Sequence, residues 1–293
     1  MRYVLENDTL RVEIDSFGAE LKSVKRKSDD KEYMWYADKK YWGRTSPVLF
    51  PFVGNCRNKE YRYGGKTYAI GQHGFARDME HTMESQTADT IWFSLHSNEE
   101  TMEKYPFAFV LKIGYNLTGN ELKVMWKVEN PDTKTLYFSI GAHPAFLCPF
   151  NGEENKLGYG LQFAGLKEVH HHGNTPDTGL AVMSEDIVIP LEDEKVYFTP
   201  GFFDRCTYMV EGKQTGEVSL VTPDGKPYVT MDFDAPLFAI WSPEGKDAPF
   251  VCIEPWYGRC DADDFDGTLE ERAYENAVEP EQIFEASYSI RYL

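Results

Sequence analysis

The chain of 293 residues carries 30 basic and 48 acidic side chains, which gives a net charge of −18 at neutral pH. With 42% hydrophobic and 15% aromatic residues, it can bury a large core, which excludes disordered, collagen-like and disulfide-scaffold proteins. A surface this acidic repels phosphate backbones and anionic lipids. We therefore expect neither a nucleic acid nor a membrane as partner.

The cysteines indicate a reducing environment. There are five, an odd number, and none forms a C-x-x-C pair, which argues against a zinc ribbon, a redox motif or a disulfide framework. They are Cys56, Cys148, Cys206, Cys252 and Cys260.

The N-terminus alternates polar and apolar residues and lacks the apolar region of a signal peptide. We expect a cytoplasmic protein.

Strand patterns follow one another along the chain, separated by turn residues. Apolar and polar residues alternate over 9–16, and a second strand follows over 18–27. Four hairpins are predicted next, three of them with glycine at the turn. The glycine turns are Gly64-Gly65, where positive φ is needed, Gly119-Asn120 and Pro223-Asp224-Gly225. The hairpins cover 60–70, 82–97, 107–130 and 217–233. Three more strands complete the chain.

Helical patterns are scarce and short. Only 99–105 and 268–277 are predicted to be helical. A period of two, many β-branched and aromatic residues, and no linker or internal repeat favour an all-β fold, a large antiparallel β-sandwich. We expect a single domain over residues 1–293.

Three polar residues stand at predicted strand ends beside Gly or Pro. His73 lies between two glycines in GQHGFARD, His143 precedes Pro in GAHPAF, and Glu254 precedes Pro after an apolar run in VCIEPW. Strand ends are where ligand-facing groups collect in a sandwich. Each residue taken alone also fits a turn residue or a structural hydrogen-bond acceptor. A metal set is disfavoured because these residues lack the close i, i+2 or i, i+4 spacing of zinc sites.

A second group of histidines, His170-His171-His172, has a different interpretation. Successive residues of a strand face opposite ways, so two of the three at most could face one ligand. We interpret the run as a solvated loop or an adventitious metal-binding segment.

Nucleotide, dinucleotide and serine-hydrolase motifs are absent from the sequence.

The order HGFAR, then a strand followed by HPAF, then a strand reaching IEPW resembles the aldose 1-epimerase family, also called galactose mutarotases. The resemblance covers about residues 5 to 290 and is similar to the bacterial branch with LFPFVG and QHGFARD over 49–78. It implies a supersandwich fold with the sugar in an open cleft and no cofactor.

The resemblance also implies site residues. His143 matches the general acid of the family, Glu254 the general base, and His73 the second histidine, near the ring oxygen of the sugar. Asp204 in FFDRCTY resembles the aspartate that binds sugar hydroxyls. Where many relatives have Arg after the FPFVG block this chain has Asn55. Asn55, Arg57 and Arg77 are candidate substrate contacts, with Arg77 the plausible substitute because Arg57 lies two residues later and is expected to point elsewhere. Aromatic residues beside the motifs are candidates for stacking on the sugar, and they fit a place in the core equally well. They are Trp256, Tyr257, Phe75 and Phe146.

The expected activity is mutarotation of a hexose or related sugar, an isomerase reaction that needs neither cofactor nor metal. The expected partner is a small-molecule sugar, phosphorylated or not, and the expected state is a monomer or homodimer. Two alternatives stay open: a non-catalytic carbohydrate-binding or sensing protein on the same fold, and a metal-dependent sugar isomerase.

Overall fold

The computed structural model describes residues 1–205 and 207–293. Cys206 therefore lies outside the described residues. The other four cysteines are buried and carry free thiols, as predicted for a chain without a disulfide framework.

Within the described residues the chain forms 25 β-strands, one α-helix and three single-turn 3₁₀ helices. The first thirteen strands are β1 (Arg2–Glu6), β2 (Leu10–Asp15), β3 (Glu20–Arg26), β4 (Lys31–Glu32), β5 (Val48–Leu49), β6 (Glu60–Tyr63), β7 (Lys66–Ala69), β8 (Thr82–Gln86), β9 (Thr90–His96), β10 (Val110–Thr118), β11 (Glu121–Glu129), β12 (Leu136–Phe138) and β13 (Ile140–Ala142). The remaining strands are β14 (Ala145–Leu147), β15 (Gly160–Phe163), β16 (Glu168–Asn174), β17 (Ala181–Pro190), β18 (Lys195–Tyr197), β19 (Tyr208–Glu211), β20 (Glu217–Val221), β21 (Pro227–Phe233), β22 (Leu237–Trp241), β23 (Phe250–Tyr257), β24 (Asn276–Val278) and β25 (Ile283–Tyr292). The α-helix α1 covers Glu99–Lys104, and the 3₁₀ helices cover Arg57–Lys59, Ala76–Asp78 and Leu269–Glu271.

Two large antiparallel sheets dominate the fold. One has the strand order β18-β15-β20-β21-β25-β11-β10-β9-β8. The other has the order β17-β16-β19-β22-β23-β13-β5, with β14 also paired to β23. Smaller sheets are formed by β1 to β4, by β12 with β24, and by β6 with β7. The predicted all-β, antiparallel fold class is confirmed.

The main core lies between the two large sheets. Phe163 of β15 contacts Phe238 of β22 with ring centroids 6.2 Å apart, and Trp126 of β11 contacts Tyr257 of β23 at 6.3 Å. Each contact joins one sheet to the other. Burial of these aromatic faces supplies most of the driving force for packing one sheet on the other.

Strand β23 separates this core from the opposite face of its sheet. Val251 and Ile253 belong to the main core, whereas Cys252 packs in a separate small cluster with Phe250. Since side chains alternate along a strand, Glu254 shares the face of Cys252 and points away from the main core. The sheet thus presents a buried carboxylate on the side not covered by the other large sheet.

The four predicted hairpins are confirmed. They correspond to β6 with β7, β8 with β9, β10 with β11, and β20 with β21. The helix predicted at 99–105 is also present as α1. Its first turn is fixed by Asn98, whose side chain accepts a hydrogen bond from the Thr101 backbone.

The helix predicted at 268–277 is wrong. Only Leu269–Glu271 forms a 3₁₀ turn, and the chain then enters β24. The physical reason is tertiary: Arg272 is buried, and its guanidinium lies 3.3 Å from Asp261 and donates to Cys56 Sγ at 2.9 Å. Tyr274 then takes a φ of +59°, which ends any helical path.

The loop interpretation of the three consecutive histidines is also wrong. They lie on β16, where His171 is buried against the Tyr208 ring, and His170 is exposed and paired with Asp186.

Of the helices in the described part of the chain, none has the length and apolar character that crossing a membrane requires.

Candidate active site

Sheet register brings His143 opposite Glu254. Gly141 of β13 pairs with Trp256, and Ala145 of β14 pairs with Cys252 on the same strand. Continuing this antiparallel register between the two pairs places His143 across from Glu254. Pro144 has no N–H to donate, so the ladder is interrupted at this point. Nε2 of His143 lies 3.4 Å from Oε2 of Glu254.

His143 is packed between aromatic rings. Its imidazole stacks on Trp42 with centroids 4.6 Å apart and meets Trp241 edge-on at 5.3 Å. Burial, together with the positive charge of Arg77, lowers the pKa of His143 to about 3. The imidazole of the free protein is therefore neutral at physiological pH.

Glu254 is a buried carboxyl, with a side chain only 1% exposed. Neither carboxyl oxygen has a hydrogen-bond partner within the described residues. Burial raises the pKa of Glu254 well above its ordinary value, and the Trp256 indole opposes this only in part. Burial disfavours the charged form of each group, so it favours a neutral imidazole beside a protonated carboxyl, a pair that shares one titratable proton.

His73 stands beside this pair, with its ring centroid 5.7 Å from that of His143. The backbone N–H of Gly54 donates to Nδ1 of His73 at 3.0 Å, and the His73 backbone N–H donates to the Gly54 carbonyl at 2.8 Å. Burial and the charge of Arg77 hold the pKa of His73 well below its ordinary value. The ring is therefore neutral, with its proton on Nε2.

Arg77 supplies positive charge to the same region. Its Nη2 donates to the Gln72 carbonyl at 2.7 Å, and its buried Nε has no hydrogen-bond partner within the described residues. Burial and the nearby Arg44 lower the pKa of Arg77 to about 10, so the guanidinium stays charged at neutral pH. Asp78 is paired with Arg44 at 2.8 Å and lies 3.7 Å from the Nε atom of Arg77. Arg77 lines the cavity and Arg44 does not, so Arg77 is the cation that a ligand in the cavity can contact.

These residues line a cavity of about 390 Å³ that opens on the uncovered face of the second sheet. Its volume is in the range of small-molecule sites. Aromatic surface comes from three tryptophans, and hydrogen-bonding groups come from loops on both sides. The lining includes Trp42, Trp241, Trp256, Asn55, Gln72, His73, Arg77, His143, Asn174, Asp177, Thr178, Thr207, Glu244 and Glu254.

The structure brings most of the predicted site residues into this cavity. His73, His143 and Glu254 lie together, and Arg77, Asn55 and Trp256 line the walls. The Asn55 amide donates to the Thr178 carbonyl at 2.8 Å, so it also ties one wall to the loop opposite.

Two predicted substrate contacts do not lie in the cavity. The Arg57 guanidinium donates to the Phe265 carbonyl at 3.0 Å, and Arg57 faces neighbouring cavities instead. Asp204 accepts a hydrogen bond from the Gly245 backbone and lines a separate cavity with Lys156. Arg57 and Asp204 thus lie outside the cavity that contains His143 and Glu254, and their binding to a substrate stays a prediction.

The predicted aromatic contacts are corrected in part. Phe75 and Phe146 are buried in the main core, and Tyr257 packs against that core. Trp42 and Trp241 line the cavity instead, although the sequence analysis did not select them. Trp42 lies in an irregular segment without a motif, so only its tertiary contact with His143 identifies it. Trp241 ends a predicted strand, a position that could have marked it.

One group of metal-ligating side chains is found within the described residues, and it overlaps the site. It consists of His143, Cys252 and Glu254, whose ligand atoms lie within 4.8 Å of one another. Cys252 and Glu254 have the close i, i+2 spacing that is common among metal ligands. This spacing escapes notice when only the His and Glu residues are considered as ligands.

Comparisons with known proteins place the chain in a family. A model of the family described as aldose 1-epimerase matches residues 1–261. The protein LacX (chromosomal) of Lactococcus lactis subsp. lactis is 30% identical over 300 residues, covering all of both chains. A galactose mutarotase related enzyme from Lactobacillus acidophilus superposes with a TM-score of 0.94 and 37% identity, over 100% of this chain and 97% of its own.

A galactose mutarotase-like protein from Lactobacillus casei ATCC 334 has a TM-score of 0.91 and 29% identity over the whole of both chains. Full-length coverage in sequence and in structure agrees with the match to the family model. The chain belongs to the aldose 1-epimerase family.

Proposed function

We propose that the protein interconverts the α and β anomers of an aldose by acid–base opening and reclosure of the sugar ring. The observation that carries the proposal is the 3.4 Å approach of His143 Nε2 to Glu254 Oε2 at the wall of an open cavity. The hydroxyl and ring oxygens of a hemiacetal share one carbon. A proton acceptor and a proton donor that serve these two oxygens must therefore both reach the surroundings of that one carbon.

The reaction moves protons and breaks one C–O bond. Glu254 as general base removes the proton of the C1 hydroxyl, while His143 as general acid protonates the ring oxygen. The bond between C1 and the ring oxygen breaks, and the electron pair of the O–H bond forms the aldehyde carbonyl. Rotation about C1–C2 and reclosure from the other face return both protons and give the other anomer. No electron leaves the sugar, so the chemistry itself calls for no redox cofactor.

Substrate binding supplies the charge state that this assignment needs. The free pair favours a neutral imidazole and a protonated carboxyl, because both groups are buried. A sugar hydroxyl that donates to a partnerless Glu254 oxygen favours the carboxylate form. The single proton then resides on His143, where it is ready for the ring oxygen.

His73 and Arg77 are positioned to orient the sugar. With its Nδ1 occupied by Gly54, His73 offers an Nε2–H donor, and Arg77 offers charged N–H groups from the same wall. Trp42 and Trp241 supply apolar surface for the carbon-bound hydrogens of the ring. Together these residues hold C1 against the His143–Glu254 pair.

The test is the optical rotation of freshly dissolved α-D-glucose and α-D-galactose, with and without protein, followed by the corresponding 6-phosphates. We expect wild-type protein to accelerate equilibration of at least one of these sugars. Glu254→Gln should lose that acceleration, and Glu103→Gln, an exposed carboxylate on α1, should keep it.

Calorimetric titration of the same sugars separates the alternative function. Binding without acceleration by wild type would identify a carbohydrate-binding or sensing protein and overturn the proposal. Full activity in Glu254→Gln would overturn the assignment of the base.

A further inference from the structure

Cys252 lies beside the acid–base pair, although anomer interconversion gives it no role. It occupies the same face of β23 as Glu254, two residues away, and it is fully buried. The register that places His143 opposite Glu254 also pairs Cys252 with Ala145, two residues after His143. One nitrogen, one sulfur and one oxygen ligand therefore converge from two adjacent strands.

The spacing of these atoms fits a tetrahedral metal ion. With Zn–N and Zn–O bonds near 2.0–2.1 Å, two ligands of one zinc ion stand about 3.3 Å apart. Nε2 of His143 and Oε2 of Glu254 are 3.4 Å apart. The sulfur completes a set whose atoms all lie within 4.8 Å of one another, so closing it on a metal needs shifts on the order of 1 Å.

The environment of the three groups also favours a cation. Both oxygens of Glu254 are buried without a hydrogen-bond partner among the described residues, as a carboxylate awaiting a ligand would be. A thiolate, an imidazole and a carboxylate form a donor set suited to zinc, whereas oxygen-only sets suit magnesium or calcium. The cavity reaches His143 and Glu254, which gives the ion a way in.

We propose that His143, Cys252 and Glu254 form a binding site for Zn²⁺ or a similar thiophilic divalent cation, reached through the cavity. Coordination releases to solvent the thiol proton and the proton that His143 and Glu254 share. The fourth coordination position stays open toward the cavity. The bound ion occupies the acid–base pair, so it inhibits rather than assists. This inhibition rests on the proposed function, whereas the binding does not.

The first experiment uses chelator-stripped full-length protein and needs no turnover. Titration with CoCl₂ should produce thiolate-to-cobalt charge-transfer absorption in the near ultraviolet, saturating at one ion per chain. ZnCl₂ should then abolish the band by displacing cobalt. A wild-type protein that shows no such band and binds no Zn²⁺ in calorimetric titration would overturn the site.

Variants identify the ligands. We expect Cys252→Ser and Cys252→Ala to lose the band and to weaken Zn²⁺ binding by about a hundredfold, the scale expected for loss of one ligand of a small set. The matched control is Cys148→Ser, which alters a buried cysteine of the main core outside the ligand group. Equal Zn²⁺ affinity in wild type and both Cys252 variants would overturn the assignment of Cys252. The wild-type cobalt spectrum decides the matter even where a variant fails to fold.

Activity gives the remaining outcome. Zn²⁺ should inhibit wild-type mutarotation in competition with the sugar, chelator should restore it, and Cys252→Ser should need about a hundredfold more Zn²⁺ for the same inhibition. Activation by Zn²⁺ would overturn the inhibitory role. Absence of mutarotase activity together with the cobalt band would overturn the proposed function and support the metal site.

Discussion

The backbone N–H of Gly54 donates to Nδ1 of His73 at 3.0 Å and thereby fixes which imidazole nitrogen faces the cavity as a donor. Gly54 has a φ of +71°, and a Cβ there would stand 2.5 Å from Cβ of Cys260, so only glycine fits at this position. The orientation of His73 thus depends on a residue without a side chain.

A neutral His73 with its proton on Nε2 is therefore expected in solution. Nitrogen-detected NMR of ¹⁵N-histidine-labelled protein should show this tautomer at pH 7 and still at pH 5.5, because burial and Arg77 hold the His73 pKa well below its ordinary value. His73→Asn, chosen because Asn tolerates positive φ, should lower kcat/KM by about a hundredfold. An imidazolium spectrum at pH 5.5 would contradict the assignment.

Replacement of the proposed acid should impair chemistry more than folding. We expect His143→Asn to lower kcat by at least about a hundredfold, the usual contribution of a positioned acid or base. The measurement is polarimetry at saturating sugar, with circular dichroism to confirm that the fold survives. His96→Asn, an exposed histidine on β9, is the control and should keep full activity. Turnover like that of wild type in His143→Asn would assign the acid elsewhere.

The pH dependence of activity should be flat where an ordinary histidine would titrate. The active pair carries one proton, and its acid limb appears when a second proton binds. Burial and the positive charge of Arg77 lower the pKa of His143 to about 3, so this limb lies far below pH 6.5. In a chelating buffer, kcat/KM should therefore not fall by more than about twofold between pH 6.5 and pH 5.5. A fall to half its value near pH 6.5 would show a solvated histidine instead.

Trp42 should determine the pH at which the acid limb of the activity profile appears. Its ring stacks on His143 at 4.6 Å and takes part in keeping water away from the imidazole. In Trp42→Ala, water reaches the imidazole and the His143 pKa rises, so the acid limb moves toward neutral pH. KM should also rise, by about tenfold, through lost contact with the sugar. Trp42→Phe should retain the wild-type profile, and an unshifted limb in Trp42→Ala would contradict this role.

His81 should make stability depend on pH. It is 2% exposed, and burial lowers its pKa to about 4, against 6.5 in the unfolded chain. Below pH 6.5 the unfolded chain binds a proton that the folded protein does not, so stability falls until about pH 4. Between pH 7 and 5, wild type should lose about 2 kcal/mol that His81→Asn does not lose. Urea unfolding of both proteins at the two pH values measures the difference.

The sequence predicts those features that local residue types determine. Glycine at the turn indicates three of the four hairpins correctly, and His143 lies directly after the end of β13 as expected. Glu254 lies inside β23 (Phe250–Tyr257), so the expectation that it stands at a strand end is wrong. The helix predicted at 268–277 is wrong because Arg272 is buried in an ion pair with Asp261 and a hydrogen bond to Cys56, which lies far away in the chain. Cys252 and Trp42 join the cavity region only through contacts between segments far apart in the chain, which no local pattern reports.

Arg57 shows that closeness in sequence to a site residue does not place a side chain in the cavity. It stands two residues after Asn55, close to the cavity in sequence, yet its side chain is held by the Phe265 carbonyl more than 200 residues away. Proximity along the chain therefore did not determine which way the guanidinium turned.

Side chains alternate between the two faces of β23, so the proposed catalysis and the folding of the sheet both depend on the pairing register of this strand. Val251 and Ile253 fill the space between the sheets, while Cys252 and Glu254 occupy the opposite side. A slip of one residue would drive the Glu254 carboxylate into the apolar interior and turn Ile253 toward the cavity in its place. The free energy that excludes the slipped pairing therefore also holds the proposed base at the cavity wall. Insertion or deletion of a single residue within this strand would thus remove activity and stability together.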